Sequence, residues 1–405
     1  MILSIAWRNI WRNKTRSFVV ITAIALGLFA GVYATAFMVG VSNQKVKQAI
    51  GTEVSHIQVH QPGYLENYDA KLFLTEAEQV LQKIEEDQRV VAASKRTIIT
   101  PLISTAHAQQ GGIVVGVKPE QEQKVTNITD FIDTGHYFTS GSNSTMLIGK
   151  TMAEKLNVDV GNKVIITVNN LDTVQISERY DICGIFNTGN DMFDGQFLFV
   201  KKDYLDKQLD MPENSAHEIA VLLHNTDETG SVTQSLSELL DPLEVLSFKQ
   251  ISPELSMLID TMDQYMMIFI IIILAALCFG IINTMLMVIL ERVKELGMLK
   301  AVGMNQWMIF RMVVMESVLL SLTGGIVGII FGYIVVRLSA IKGIPLDAFG
   351  EGLEGMGYAT LVFPEITFPQ LINIAVLVIV TGIISAIYPA GRAIRLNPAE
   401  ALRTS

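Results

Sequence analysis

The chain has 405 residues, a mean hydropathy of +0.39 and hydrophobic side chains at 50% of its positions, which is the composition of a membrane protein. The net charge of −10 is unevenly distributed, since residues 1–16 carry bases and no acid whereas residues 45–263 are rich in acids. This asymmetry indicates membrane topology and argues against nucleic-acid binding. Cys183 lies in a polar segment and Cys278 in an apolar one, which excludes a disulfide framework and a cysteine metal site.

Residues 1–16 are predicted to form an amphipathic helix on the cytoplasmic face of the membrane, because tryptophans stand beside basic side chains. An ordinary basic flank would give the same topology, so both interpretations stay open. Residues 17–44 are uncharged and form the first predicted span, since about 20 residues cross a hydrocarbon core of about 30 Å. This run is too long for a cleavable signal peptide. Gly27, Gly31 and Gly40 leave room for close helix contact.

Residues 45–252 are predicted to form a large, water-soluble α+β extracytoplasmic domain inserted between the first two spans. Alternating or apolar runs predict strands at Val54–His60, Val114–Val117, Val164–Val168, Ile182–Phe186, Phe197–Val200 and Ala220–Leu223. One helix is predicted to open at Thr75, where Glu78 would complete a capping box, and another to cover Thr226–Leu240.

A long helix is predicted over residues 253–290, with Pro253 at its first position. Its 38 residues would extend about 57 Å, whereas the membrane core takes about 30 Å. Roughly 25 Å should therefore project outward as a stalk, and the rest forms the second span.

Residues 291–307 form a tight, charged hairpin, and its Lys and Arg content places it in the cytoplasm. A short helix is predicted from Glu291 to about Val302, closed by Gly303. Four charged residues are expected at its exposed positions: Glu291, Arg292, Lys294 and Glu295. Its apolar positions are Val293, Leu296, Leu299 and Val302. The helix is either a docking surface for a soluble partner or a solvated loop that only orients the protein, and spacing alone leaves both open.

Residues 308–336 form the third predicted span, which carries glycines at small-residue spacing: Gly324, Gly325, Gly328 and Gly332. Glu316 lies inside this span, where a carboxylate is costly unless it is paired. Arg311 is five residues away and does not share its helix face, so we expect a partner on another helix. Glu316 either has a functional role or anchors the helix.

Residues 337–370 are acidic and glycine-rich and are predicted to form an external loop. Residues 371–389 form the fourth span, ended by Pro389, and residues 390–405 form a basic cytoplasmic tail. A helix cap is predicted in this tail at Asn397, Pro398 and Glu400. The fold class is therefore a membrane protein with four transmembrane α-helices and both termini inside.

The hairpin pattern E-R-x-x-E-L-G, followed by A-V-G and a glutamate early in the third span, resembles the signature of the LolC/LolE, MacB and FtsX superfamily of ABC permeases. The matching positions are Glu291, Arg292, Glu295, Leu296, Gly297, Ala301, Val302, Gly303 and Glu316. The C-terminal run YPAGRAIRLNPAEALR resembles the family's last motif. HIQVHQPGYLEN and LIGKTMAEKLNVDVGNKV, at residues 56–67 and 147–164, are similar to patterns of the lipoprotein-releasing branch.

The resemblance implies an FtsX-like permease with a MacB-like periplasmic domain, in the bacterial inner membrane. ATP and Mg²⁺ would bind to a separate, LolD-like ABC ATPase subunit and not to this chain. The implied ATPase-coupling residues are Glu291, Arg292, Lys294, Glu295, Gly297 and Gly303. Other implied partners are a second permease subunit in a homo- or heterodimer, a periplasmic lipoprotein chaperone and membrane lipid. The implied function is lipoprotein release by mechanotransmission from the outer leaflet of the inner membrane.

Neither a catalytic site nor a metal site is predicted. Gly149-Lys150-Thr151 is similar to the end of a phosphate-binding loop, but Ser144 occupies the position of its first required glycine, so we interpret it as a strand-to-helix turn. His56 and His60 could share one face of a strand, yet a zinc site needs three or four ligands. The alternatives to lipoprotein release are MacB-like efflux of antibiotics or peptides from the periplasm and FtsX-like signalling to periplasmic hydrolases.

Overall fold

The computed structural model describes residues 2–138, 142–346, 352, 358 and 361–395. The chain divides into two compact units. The membrane unit comprises Met1–Ser42, Asp260–Pro345 and Leu361–Ser405, and the inserted domain comprises Asn43–Ile259 and Leu346–Thr360. Within the predicted external loop, residues 347–351, 353–357 and 359–360 lie outside the described residues, as does the predicted cap of Asn397, Pro398 and Glu400.

The α-helices of the described residues are numbered here in chain order. They are α1 (Ile2–Arg12), α2 (Lys14–Ala49), α3 (Tyr64–Asn67), α4 (Ala77–Glu85), α5 (Pro119–Val125), α6 (Lys150–Leu156), α7 (Asp191–Asp194), α8 (Lys202–Leu209), α9 (Thr229–Leu239), α10 (Phe248–Ile251), α11 (Pro253–Glu291), α12 (Val293–Ala301), α13 (Gln306–Lys342) and α14 (Phe368–Ile394). A π-helical turn, Ile50–Val54, follows α2 directly. Short 3-10 helices cover Ile128–Phe131 and Thr226–Glu228.

Four of these helices are long and apolar enough to cross a membrane: α2, α11, α13 and α14. The inserted domain lies in the chain between α2 and α11, and it contains a mixed α/β fold. The predicted fold class, four transmembrane helices with an α/β domain between the first and the second, is therefore confirmed.

Glycines pack α13 tightly against α2. A Cβ added at Gly324 would lie 2.8 Å from the side chain of Ile24, and one added at Gly328 would lie 2.6 Å from the carbonyl oxygen of Ala25. Larger side chains would push the two helices apart, because real Cβ atoms do not approach other atoms so closely. The small-residue packing predicted for the third span is confirmed.

The fourth spanning helix does not end where the sequence predicts. Pro389 was expected to terminate it, but α14 continues through this proline to Ile394. A proline inside a helix removes one backbone hydrogen bond. Ala386, Ala390 and Ala393 are all buried on this part of α14, and we attribute the continuation to their packing.

The inserted domain is built on one mixed sheet. Its strands are β1 (Ile57–His60), β2 (Val90–Ile99), β3 (Leu102–Ser104), β4 (Gln109–Gly111), β5 (Ile113–Val117), β6 (Ile132–Gly135), β7 (Thr145–Gly149), β8 (Lys163–Asn169), β9 (Gln175–Phe186), β10 (Phe197–Lys201), β11 (Glu218–Leu223) and β12 (Glu244–Ser247). The strand order is β12-β1-β11-β2-β5-β10-β7-β9-β8-β3-β4, with β6 paired to β9. A separate pair, β13 (Ile344–Pro345) and β14 (Leu361–Val362), belongs to the membrane unit.

Most predicted strands are present, but one starts later than predicted and the long strand β2 was not predicted. The strand expected to start at Val54 starts at Ile57, because the π-helical turn continues to Val54. The sequence gives no signal for β2, since eight of its ten residues are buried and no polar–apolar alternation results. Lys95 and Arg96 look like surface residues in the sequence but lie buried in the middle of this strand.

The capping box predicted at Thr75 is wrong, and β2 explains why. The residue at the N-cap of α4 is Glu76, and the backbone N–H of Glu78 donates to the Asn214 side chain at 3.0 Å. The carboxylate of Glu78 pairs with the buried ammonium of Lys95. Leaving the buried Lys95 charge unpaired would cost more free energy than leaving the helix end without a capping box. The contact with Lys95 therefore determines where the Glu78 side chain points.

Candidate functional site

The helix of the charged hairpin is shorter than predicted. Helix α11 ends at Glu291, Arg292 leaves the helical conformation as the N-cap residue, and α12 covers Val293–Ala301. Gly303 follows with φ +99°, a conformation that glycine adopts without strain. The Asn305 side chain then accepts the backbone N–H of Trp307 at 3.1 Å and caps α13.

Arg292 lies at the centre of an ion-pair network. Its Nε donates to Oε2 of Glu295 at 3.0 Å, and its Nη1 donates to Oε1 of Glu316 at 3.1 Å. Asn9 of α1 donates to the same Glu316 oxygen at 2.5 Å. The partners of Glu316 therefore come from other elements, as we expected. The ion pair with Arg292 and the hydrogen bond from Asn9 offset the cost of burying the Glu316 carboxylate within α13.

A second arginine extends this network to the N-terminal helix. Arg12 of α1 donates through Nη2 to Oε1 of Glu295. This hydrogen bond holds the pKa of the Glu295 carboxyl below its usual value, and Arg292 acts in the same direction. Glu295 therefore stays ionised at neutral pH. We call Asn9, Arg12, Arg292, Glu295 and Glu316 the hairpin network; it joins α1, α12 and α13.

The network surrounds a polar cavity of about 260 Å³. Its wall includes Asn9, Arg12, Arg292 and Glu316 from the network and also Glu291. Glu316 therefore shares a cavity with several polar groups, which further lowers the cost of its charge.

The prediction that all four charged residues of the hairpin helix are exposed is wrong in part. Glu291 and Lys294 are exposed, but only 16% of the Arg292 side chain is, and Glu295 is partly covered. The reason is that their partners lie on α1 and α13, so these two charges point toward the protein. Of the four apolar positions, only Leu296 is buried.

The hairpin also exposes apolar side chains. Val302 is 85% exposed, although the sequence pattern assigned it to the apolar face. We define the hairpin face by its exposed apolar residues: Met298, Leu299, Val302, Trp307 and Met308. Gly297 is buried, and Lys300 ties the helix to α14 by donating to the carbonyl oxygen of Ile394 at 2.9 Å. Helix α12 is thus fixed to the protein by charges and offers an apolar surface outward.

The other residues singled out in the sequence have structural roles. Gly149 ends β7 and Lys150 begins α6, so the interpretation as a strand-to-helix turn is confirmed. His56 precedes β1 and accepts the backbone N–H of Leu223 at 3.1 Å, and burial lowers its pKa to about 4. His60 lies 3.3 Å from a Glu218 oxygen. Among the described residues, no group of three His, Cys, Asp or Glu side chains could hold a metal ion.

Sequence reasoning missed Asn9, and it did not connect Arg12 with the hairpin. The available signal was weak: residues 9 and 12 are three apart and therefore share one face of α1. Nothing in the sequence indicates that this face meets α12 and α13, since almost 300 residues separate Arg12 from Glu295.

Comparison with known proteins gives two family matches that together cover most of the chain. The MacB-like periplasmic core domain matches residues 17–239, and the FtsX-like permease C-terminal domain matches residues 267–398. The chain is similar to LolC, a lipoprotein-releasing system transmembrane protein of Xylella fastidiosa, with 24% identity over 78% of each chain.

Two further similarities come from an archaeon and from a solved structure. An uncharacterised ABC transporter permease of Methanocaldococcus jannaschii is 23% identical over 99% of this chain and 97% of that protein. The crystal structure of the periplasmic region of MacB from Actinobacillus actinomycetemcomitans is 10% identical, with a TM-score of 0.35, over 50% of this chain and 94% of that one.

Proposed function

This chain belongs to the ABC transporter permeases of the MacB-like and FtsX-like type, and from this membership we propose that it releases lipoproteins from the outer leaflet of the inner membrane. It is a multi-pass inner-membrane protein, and members of its family lack an ATPase domain. The observation that carries the proposal is the similarity to LolC, whose name describes lipoprotein release, over 78% of this chain.

The hairpin face is the surface on which a separate ABC ATPase subunit would dock. Family members work with such subunits and with a second permease. The exposure of Val302 and Trp307 supports docking, because an apolar patch in water is best explained by a partner. ATP and Mg²⁺ would bind to that ATPase. The hairpin and both termini would then lie in the cytoplasm.

The hairpin network gives a route by which an ATPase would move the permease. A displacement of α12 would act on α1 through the Arg12–Glu295 pair and on α13 through the Arg292–Glu316 pair. It would also act on α11, since only Arg292 separates α11 from α12. With 39 residues, α11 extends about 58 Å and would carry the movement beyond the membrane core, which is about 30 Å thick.

A lipid-anchored substrate would enter sideways, between spans of two permease subunits. Residues 17–44 and 264–290 carry no charged side chain, which suits contact with acyl chains. Exposed methionines such as Met267 and Met287 add adaptable apolar surface to α11. A periplasmic chaperone would then receive the released lipoprotein.

The test is depletion of the protein in its native organism, followed by separation of the membranes. We expect lipoproteins to accumulate in the inner membrane. If they still reach their destination while sensitivity to antibiotics or peptides rises, MacB-like efflux replaces this proposal. If lipoproteins and sensitivity are both unchanged and cell separation fails, FtsX-like signalling replaces it.

A further inference from the structure

The inserted domain contains a cavity to which neither the sequence motifs nor the related proteins assign a ligand. Its volume is about 310 Å³, within the range of small-molecule sites. The π-helical turn, the first residues of α11 and aromatic residues of the domain line it. We call it the aromatic cavity and define it by Glu53, Tyr68, Arg96, Phe197 and Glu254.

One wall of the aromatic cavity is built from stacked rings. The rings of Phe193 and Phe197 stack with their centroids 4.5 Å apart, and the buried Phe199, which also lines the cavity, lies 6.4 Å from Phe193. Tyr68 lines the cavity as well and is partly exposed. Aromatic faces carry negative partial charge and attract cations as well as apolar groups.

The ionisable groups that line the cavity carry a net negative formal charge. They are three carboxylates and one guanidinium, Glu53, Glu218, Glu254 and Arg96, with a formal charge of −2. Counting Lys45, which interacts electrostatically with Glu53 and lines the neighbouring cavity, the sum is −1. The cavity therefore favours a cation over an anion.

Arg96 is not available to an anionic ligand. It donates to Glu122 at 2.6 Å and to Glu218 at 2.8 Å, so its charge is balanced within the protein. Burial alone would raise the pKa of Glu218, but the charge and hydrogen bonds of Arg96 and His60 hold it below its usual value. Glu218 therefore remains ionised beside the cavity.

Glu53 is positioned by an irregular backbone. It lies on the π-helical turn, and the residue after that turn, Ser55, has φ +57°. Such interruptions of helical structure are frequent at functional sites. Among the described residues, the structure gives the half-buried carboxylate of Glu53 no hydrogen-bond donor.

We propose that the aromatic cavity binds a small lipophilic cation, an ammonium group attached to an aromatic or branched apolar body. The apolar body lies against Phe193 and Phe197, and the ammonium group lies near Glu53 and Glu254. The argument for this site does not rest on lipoprotein release or on ATPase docking, because all of its lining residues belong to the inserted domain.

The experiment uses the full chain in lipid nanodiscs and equilibrium dialysis, with empty nanodiscs subtracted. The probes are benzyltrimethylammonium, neutral benzyl alcohol and the anion phenylmethanesulfonate. We expect saturable binding of the ammonium probe, weaker binding of the alcohol and none of the anion. Glu53→Gln, which keeps the shape of the side chain, should weaken ammonium binding about tenfold. Phe197→Leu, which removes a ring but keeps apolar volume, should also weaken it.

The matched control is Glu85→Gln, an exposed glutamate on α4 that does not line the cavity, and it should bind like the unaltered chain. Thermal unfolding of each variant shows whether it is folded. The proposal is overturned if the ammonium probe does not bind saturably, if the anion binds equally well, or if folded Glu53→Gln and Phe197→Leu variants bind the ammonium probe as strongly as the control.

Discussion

Helices α11 and α13 have almost the same length and very different surroundings. They contain 39 and 37 residues, and α11 is the more apolar of the two. In the most apolar segment of α13, 33% of the residues are buried inside the protein, but in that of α11 only 6% are. The more apolar helix is thus the less buried one, which shows that hydropathy identifies a span without saying what the span touches.

The contrast arises from small and polar residues on α13. Its glycines admit α2 closely, and the Ser317 hydroxyl donates to the Gly382 carbonyl oxygen on α14 at 3.0 Å. Helix α11 instead carries large apolar side chains on most sides, and its buried residues within the membrane unit are Ile281, Met285 and Ile289. Close contact between membrane helices depends on small residues. Helix α13 therefore packs closely against α2 and α14, whereas most of the apolar surface of α11 stays uncovered.

The largest expected effect comes from filling the contact between α13 and α2. In Gly328→Leu the new Cβ would lie 2.6 Å from the Ala25 carbonyl oxygen and 2.9 Å from the Leu28 Cβ. We expect a loss of about 3 kcal/mol in the free energy of unfolding, measured by denaturation in detergent micelles. Gly280→Leu on α11 is the matched control, since nothing lies within 4 Å of that position. Equal losses in both variants would contradict the distinction between the helices.

The second largest loss of stability is expected from removing the Glu316 carboxylate of α13. Glu316→Leu leaves Arg292 with Glu295 as its described carboxylate partner, so we expect a loss of about 1–3 kcal/mol in the same measurement. Glu316→Gln should cost less, because it can still accept from Asn9 and Arg292. Glu85→Gln, at an exposed position on α4, serves as the control. Stability unchanged in Glu316→Leu would mean that the hairpin network does not hold α13 in place.

These two sets of residues also show what could be predicted from sequence. The glycines of α13 were predicted to pack because their spacing is local to one helix. For Glu316, the sequence predicted a partner on another helix but could not identify it, since Asn9 and Arg292 contact it through tertiary packing. Val302 was assigned to the wrong side because the charges of Arg292 and Glu295, and not apolar spacing, set the orientation of α12.

A third prediction concerns the hairpin face, which lies between the two helices in the chain. Val302→Asp should abolish co-purification of an ABC ATPase with the tagged chain from its native organism. Because Val302 is exposed, the free energy of unfolding should change by no more than about 0.5 kcal/mol. Val174→Asp makes the same change at an exposed position of the inserted domain and should leave co-purification intact. Co-purification that survives Val302→Asp would remove the hairpin face as the docking surface.

The smallest energetic effect is expected from probing the free surface of α11 itself. Phe279 is 74% exposed on α11 and Ile330 is 54% exposed on α13, so both can be replaced without loss of packing. With a photo-crosslinking amino acid at position 279, we expect adducts with a second permease subunit in native membranes, whereas position 330 should give lipid adducts alone. The reason is that most of the apolar part of α11 is not covered by its own chain, and family members work with a second permease. Protein adducts from position 330 and none from position 279 would mean that α11 faces lipid and that the two subunits meet through α13.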